Sequence, residues 1–129
     1  MRLASFFRIL SLKKLVNGAS GHWWSQRVSA ILLIIFGGWF LISLVLIDSY
    51  QFKSIYDWVS TPFNTLMLSL LVTFLAYHSC LGIEVIIEDY VPDSSQQLFL
   101  LRLSKMLHFA FFSLSLIFLS LIFTGLLNG

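Results

Sequence analysis

Charged residues are scarce in this chain: they make up 11% of its 129 residues, whereas 58% of the residues are hydrophobic. Soluble globular domains carry about 25% charged residues, which keep their surfaces in water. The composition therefore excludes an ordinary soluble domain, and the chain is expected to be an integral membrane protein.

Cysteine is almost absent as well, because Cys80 is the single one. One cysteine excludes an intrachain disulfide, a cluster held by several cysteines and the Cys-x-x-Cys-His attachment of haem. The sequence also lacks a Gly-x-Gly-x-x-Gly, a phosphate-loop and a His-Glu-x-x-His motif, so it predicts neither a dinucleotide site nor a hydrolytic one. No residue is assigned a catalytic role, and no nucleic-acid partner is expected.

Three long apolar runs cover residues 28–47, 63–87 and 104–127. Each reaches the roughly 20 residues that cross about 30 Å of hydrocarbon, and each must be helical because lipid offers the backbone no hydrogen-bond partners. The sequence therefore predicts an all-α membrane protein with three transmembrane helices. They form a single membrane-anchor domain over residues 1–129, with residues 1–27 as its N-terminal segment.

Basic residues are distributed unevenly around these runs. Segment 1–27 holds five of them and no acid, whereas the loop at 48–62 holds Lys53 against Asp48 and Asp57. The positive-inside rule then predicts an N-terminus inside and, after three crossings, a C-terminus outside. We expect the bacterial inner membrane, with the mitochondrial inner membrane as the alternative.

The second run carries His78, Gly82, Asp89 and Tyr90. At roughly 100° per helical residue, His78 and Asp89 lie about 20° apart and Gly82 lies about 40° from His78, so these three share one face. A histidine deep in a membrane helix, with a small residue one turn on and a polar pair at the water boundary, indicates a cofactor above a second polar site.

His78 lies roughly 18 Å from Tyr90 along the helix, well inside the hydrocarbon. One interpretation is a histidine hydrogen-bonded to a serine or a backbone carbonyl of a neighbouring helix. The other is an axial ligand of a b-type haem, because neutral imidazole is a suitable donor to iron. Gly82 then either lets a flat macrocycle approach the helix or simply packs against another helix.

His108 is the other histidine in a predicted membrane helix. It lies about four residues into the third run, at a depth of only some 6 Å against roughly 18 Å for His78, and this mismatch is too large for one iron. Either the second ligand comes from another polypeptide or no haem is bound. His108 itself is expected to be an interfacial or packing histidine.

Asp89 and Tyr90 fall at the inner boundary, the depth also expected for Arg27. If the first two helices are neighbours, Arg27 and Asp89 pair in a partly desolvated pocket, and Tyr90 presents a neutral hydroxyl donor. Such a set suits a quinone head group, which gains negative charge and protons on reduction. The alternative is ordinary interface chemistry: a basic anchor, a tyrosine of the aromatic belt and a solvated acid.

Glu84 lies about 9 Å above Tyr90 and roughly 240° round the helix from His78, so it faces a different neighbour. An acid at this depth is functional by default. A proton relay, a pair with a cation of a partner chain and a bend toward the interface all remain open, and Glu84 is left out of the site.

With these features the chain resembles the small hydrophobic D-type anchor of succinate dehydrogenase, respiratory Complex II. One part of the match is the histidine, glycine and Asp-Tyr pair of the second run at the family's spacing. The other part is residues 21–30, Gly-His-Trp-Trp-Ser-Gln-Arg-Val-Ser-Ala.

The resemblance implies that His78 ligates the iron of haem b together with a histidine of a larger C-type anchor. Tyr90 would donate a hydrogen bond to a ubiquinone carbonyl, with Asp89 and Arg27 as local supports. Flavoprotein and iron-sulfur subunits would be held at the inner membrane face and would pass electrons from succinate to ubiquinone, in the tricarboxylic acid cycle and the respiratory chain. The chain would then be a non-catalytic subunit of an oxidoreductase.

Other functions remain open at this point. A fumarate reductase anchor would work in the opposite direction, because direction depends on potentials that are set largely elsewhere. A structural or assembly membrane protein, or a small transporter with Glu84 as its coupling acid, would bind neither haem nor quinone.

Overall fold

The computed structural model describes residues 19–126, and the side chains from residue 21 onward. This part of the chain is all-helical: α1 is Ala19–Val45, α2 is Phe52–Ser60, α3 is Pro62–Tyr90 and α4 is Ser94–Phe123. Within it, α1, α3 and α4 are long and apolar enough to cross a membrane. The predicted all-α fold with three candidate transmembrane helices is therefore confirmed.

The helices extend beyond the apolar runs. α1 already includes Ala19 instead of starting at 28, and α4 starts at Ser94 instead of 104. At the start of α4 the Asp93 side chain accepts a hydrogen bond from the Gln96 backbone N–H at 2.7 Å, so a local cap and not hydropathy sets that end. Residues 1–18 of the predicted N-terminal segment, and residue 127 of the predicted third span, lie outside the described residues.

α3 is the central helix of the fold. It packs against α1 on one side and α4 on the other, and within residues 19–126 the two outer helices do not contact each other. The helices therefore form a layer, not a closed bundle. A layer leaves two broad apolar faces, and most large hydrophobic side chains of the described chain are exposed on them. Lipid or other polypeptides must cover these faces.

The segment expected to be a loop at 48–62 contains the short helix α2. Tyr56 of α2 donates a hydrogen bond to the Ile122 carbonyl oxygen at 3.0 Å. The Trp58 ring stacks on the Trp39 ring of α1 with centroids 5.9 Å apart. A nine-residue helix is marginal on its own, so these tertiary contacts stabilise it, and hydropathy does not show them.

Candidate functional site

His78 of α3 faces α1, where its ring contacts a serine. Ser29 Oγ lies 3.0 Å from His78 Nδ1 and also donates a hydrogen bond to the Gln26 carbonyl oxygen at 3.0 Å. Ser29 is buried, with 2% of its surface exposed, and His78 is half-buried. The interpretation of His78 as hydrogen-bonded to a serine of a neighbouring helix is therefore confirmed for Nδ1, and within the described chain Nε2 has no hydrogen-bond partner.

A groove runs along α1 and α3 beside this pair. It has a volume of about 340 Å³. Its α1 side runs from Gly21 to Leu32 and includes Ser29, and Phe74 and Tyr77 of α3 line the other side, within about one turn of His78. The groove is mainly apolar, so it suits the flat hydrocarbon edge of a large ring better than a polar ligand.

Gly82 lies on the same side of α3 as His78, as its spacing predicts. A Cβ atom built on Gly82 would lie 3.7 Å from Nε2 of Gln26, which is ordinary van der Waals distance. The space next to Gly82, where a side chain would lie, is therefore bordered by α1. This contact favours the helix-packing interpretation of Gly82 over an opening for a macrocycle.

His108 is not at the shallow depth that the hydropathy of the third run indicates. His108 Nε2 lies 3.0 Å from Oγ of Ser79, the residue after His78, so both histidines lie at nearly the same depth. The depth argument is wrong because α4 starts at Ser94, so that about ten further residues of helix lie between His108 and the turn.

A different observation excludes His108 as the second ligand to the same iron. His108 Nδ1 donates to the Ser104 carbonyl oxygen at 2.8 Å, and Nε2 accepts from the Ser79 hydroxyl. Both ring nitrogens are therefore used within the chain. His108 also contacts α3 on the side away from the His78 ring, because Ser79 points toward α4 whereas His78 points toward α1.

Arg27 does not pair with Asp89. Its guanidinium lies over the Trp23 ring, 5.0 Å from the centroid, and no salt bridge joins Arg27 to an acid among residues 19–126. The register explains the difference: Gln26 lies level with Gly82, so Asp89 is roughly 12 Å further along the helix axes than Arg27. The predicted pair is wrong because α1 already includes Ala19, well before Arg27 in the chain. Arg27 therefore lies within the helix and not at its start.

Asp89 and Tyr90 are at the end of α3 and both are exposed. Tyr90 has 80% of its surface exposed, and its hydroxyl has no hydrogen-bond partner within the described chain. A free phenol at a helix end is able to donate to a ligand or to water.

Glu84 has partners on both neighbouring helices, which sequence analysis did not identify. Glu84 Oε1 lies 3.2 Å from Lys105 Nζ of α4, and Glu84 Oε2 lies 3.5 Å from His22 Nε2 of α1. His22 Nε2 is buried and makes no hydrogen bond, so this second contact is a close approach and not an aligned hydrogen bond. The depth of Glu84 in the membrane indicates that it needs a cation as a partner. Only the register of the helices shows which side chain is that partner.

The chain is similar to known proteins over most of its length. The model of the family described as succinate dehydrogenase/fumarate reductase transmembrane subunit matches residues 9–127. The chain belongs to this family. The resemblance that residues 21–30 and the second run carry is thereby confirmed.

Curated relatives within the family are named succinate dehydrogenase hydrophobic membrane anchor subunit. The one from Rickettsia felis is 39% identical over 79 residues, which are 60% of this chain and 65% of that protein. The one from Rickettsia prowazekii is 37% identical over 76 residues, 58% of this chain and 60% of that protein. Both alignments span less than two thirds of the relatives' length. No solved structure matches the chain.

Residues 19–126 contain no group of three or more His, Cys, Asp or Glu side chains arranged to hold a metal ion. A haem iron does not need such a group, because the macrocycle supplies four ligands and the protein only the axial ones. His78, with a bonded Nδ1 and an unengaged Nε2, fits one axial position.

Proposed function

We propose that this chain is the hydrophobic membrane anchor subunit of a succinate dehydrogenase, where it binds haem b through His78 and helps to form the ubiquinone reduction site. Family membership over residues 9–127 supports the anchor. The observation that carries the haem assignment is His78 itself, whose Nδ1 has a partner while Nε2 has none in the described chain. The subunit has no catalytic residue of its own and works only within the complex.

His78 would supply one axial ligand, and a histidine of a C-type anchor would supply the other. This sharing follows from the other histidines of this chain: His108 uses both ring nitrogens, and His22 lies against Glu84. Haem b, when bound, supplies a one-electron centre within the membrane. His78 is the residue of this chain that would hold it.

Tyr90 and Asp89 would form this chain's part of the quinone site at the end of α3. The exposed Tyr90 hydroxyl would donate a hydrogen bond to a ubiquinone carbonyl, and the Asp89 carboxylate, at the water boundary, would help to pass protons to the reduced head group. Arg27 would act at longer range, because it lies roughly 12 Å from the level of Asp89 along the helix axes. At that distance two unit charges interact by only about 1 kcal/mol at an effective dielectric constant near 20.

The remaining partners would be the iron-sulfur and flavoprotein subunits, held at the inner face of a bacterial inner membrane with the N-terminus of this chain inside. The open layer of α1, α3 and α4 supports an assembly of this kind, because it leaves broad apolar faces for a second anchor and for lipid. The family description also covers fumarate reductase, which would use the same anchor in the opposite direction.

Gentle purification of the tagged chain from its own membranes tests the proposal. Flavoprotein and iron-sulfur subunits are expected to co-purify, with succinate-dependent ubiquinone reduction by the isolated complex. A chain that purifies folded, without these subunits and without this activity, would reject the anchor function and would favour a structural or transport protein.

A further inference from the structure

We propose that Ser29 is a positioning residue that accepts a hydrogen bond from His78 Nδ1–H and thereby presents the lone pair of Nε2 to the haem iron. This inference rests on the proposed haem ligation by His78. It assigns a role to a side chain on a different helix from the ligand, since the sequence allows a serine partner for His78 and the structure identifies it as Ser29.

The direction of the bond follows from counting hydrogens. A serine hydroxyl has one hydrogen, and a carbonyl oxygen only accepts. Ser29 Oγ lies 3.0 Å from the Gln26 carbonyl oxygen and 3.0 Å from His78 Nδ1. Both contacts are hydrogen bonds at once only if the hydroxyl donates to Gln26 and accepts from His78.

The tautomer of His78 follows from that direction. A neutral imidazole carries one N–H, so a proton on Nδ1 leaves Nε2 with a free lone pair, which is the state that an iron ligand needs. Ser29 is 2% exposed, so water does not compete for its hydroxyl. The bond of a serine to a carbonyl one turn earlier is a common arrangement in helices and holds Oγ in place before any ligand binds.

The expected effect on the haem is a change in potential. A hydrogen bond donated from Nδ1–H makes the imidazole a stronger donor and favours the ferric state, so it lowers the reduction potential. A serine that merely filled space between α1 and α3 would have no such effect when replaced by a residue of similar size.

The test compares variants of the whole purified complex by redox titration and by the EPR spectrum of the ferric haem. In Ser29→Ala, which removes the acceptor, we expect an upward shift of the haem midpoint potential and altered g-values. Ser29→Thr, which restores the hydroxyl, is expected to match the wild type. Ser69→Ala is the matched control, since Ser69 lies on α3 and its hydroxyl bonds only to the Thr65 carbonyl in the described chain.

Ser29→Cys keeps the volume with a weaker acceptor and is expected to give a smaller upward shift, so it serves if the alanine variant does not assemble. A wild-type potential and wild-type g-values in Ser29→Ala, or in Ser29→Cys where the alanine variant does not assemble, would overturn the role of Ser29 while leaving haem ligation by His78 intact. A wild-type complex without haem would overturn the proposed haem function, and this inference with it.

Discussion

The Glu84 carboxylate of α3 lies 3.2 Å from the Lys105 ammonium of α4, and its second oxygen lies 3.5 Å from His22 of α1. One acid therefore contacts both neighbouring helices. Helices in lipid gain little hydrophobic energy from contact with one another, so polar contacts of this kind contribute to holding them together. Glu84 has only 12% of its side chain exposed, which makes a missing partner costly.

We expect Lys105→Met to lower the stability of the chain by on the order of 2 kcal/mol, because it leaves a largely buried carboxylate without its cation. The double variant Glu84→Gln/Lys105→Met is expected to recover part of this loss, since it removes both charges. Thermal unfolding of the purified complex in detergent measures both effects. The control is Lys53→Met, which breaks the exposed pair with Asp57 and is expected to change little. A Lys53 variant as unstable as the Lys105 variant would contradict the account.

Tyr90→Phe is expected to reduce kcat/KM for ubiquinone by about 10-fold, the value of one lost hydrogen bond near 1.4 kcal/mol. Succinate oxidation with a soluble dye is expected to stay at the wild-type rate, because the dye does not use the membrane site. Steady-state assays with both acceptors check this, with Tyr50→Phe at the α1–α2 connection as the control. Unchanged ubiquinone kinetics in Tyr90→Phe would remove this residue from the site.

Arg27 and Asp89 are expected to act independently. Their separation of roughly 12 Å predicts that the effects of Arg27→Gln and Asp89→Asn on kcat/KM for ubiquinone add in the double variant to within about 0.5 kcal/mol. A double-mutant cycle in the quinone assay measures this. A coupling well above that value would show that the two side chains pair in the working complex.

The membrane spans could be predicted from sequence because lipid demands long apolar runs, and those runs are visible without any partner. The depth of His108 could not be predicted from sequence, because the start of α4 at Ser94 is set by a polar cap that hydropathy does not register. The pairing of Arg27 with Asp89 failed because α1 already includes Ala19, so Arg27 lies within the helix and roughly 12 Å along the helix axes from the level of Asp89.

Contacts between helices are the other part of the structure that could not be predicted from the sequence. The position of His78 in the second run indicated a polar partner or a ligand, but Ser29 emerges only when α1 lies beside α3 in one register. The same register brings His22 to Glu84, and Lys105 comes from the opposite neighbour. Helical periodicity assigns faces within one helix and leaves the choice of neighbour undetermined.

The central claim is that His78 ligates a haem, and the reduced-minus-oxidised spectrum of the purified complex tests it most directly. We predict a b-type signal in the wild type that is lost in His78→Ala and kept in His108→Asn, where the asparagine amide is able to replace Nδ1 as donor to the Ser104 carbonyl. Retained flavoprotein and iron-sulfur subunits would show that each variant assembles. A full b-type signal in assembled His78→Ala complex would contradict the account.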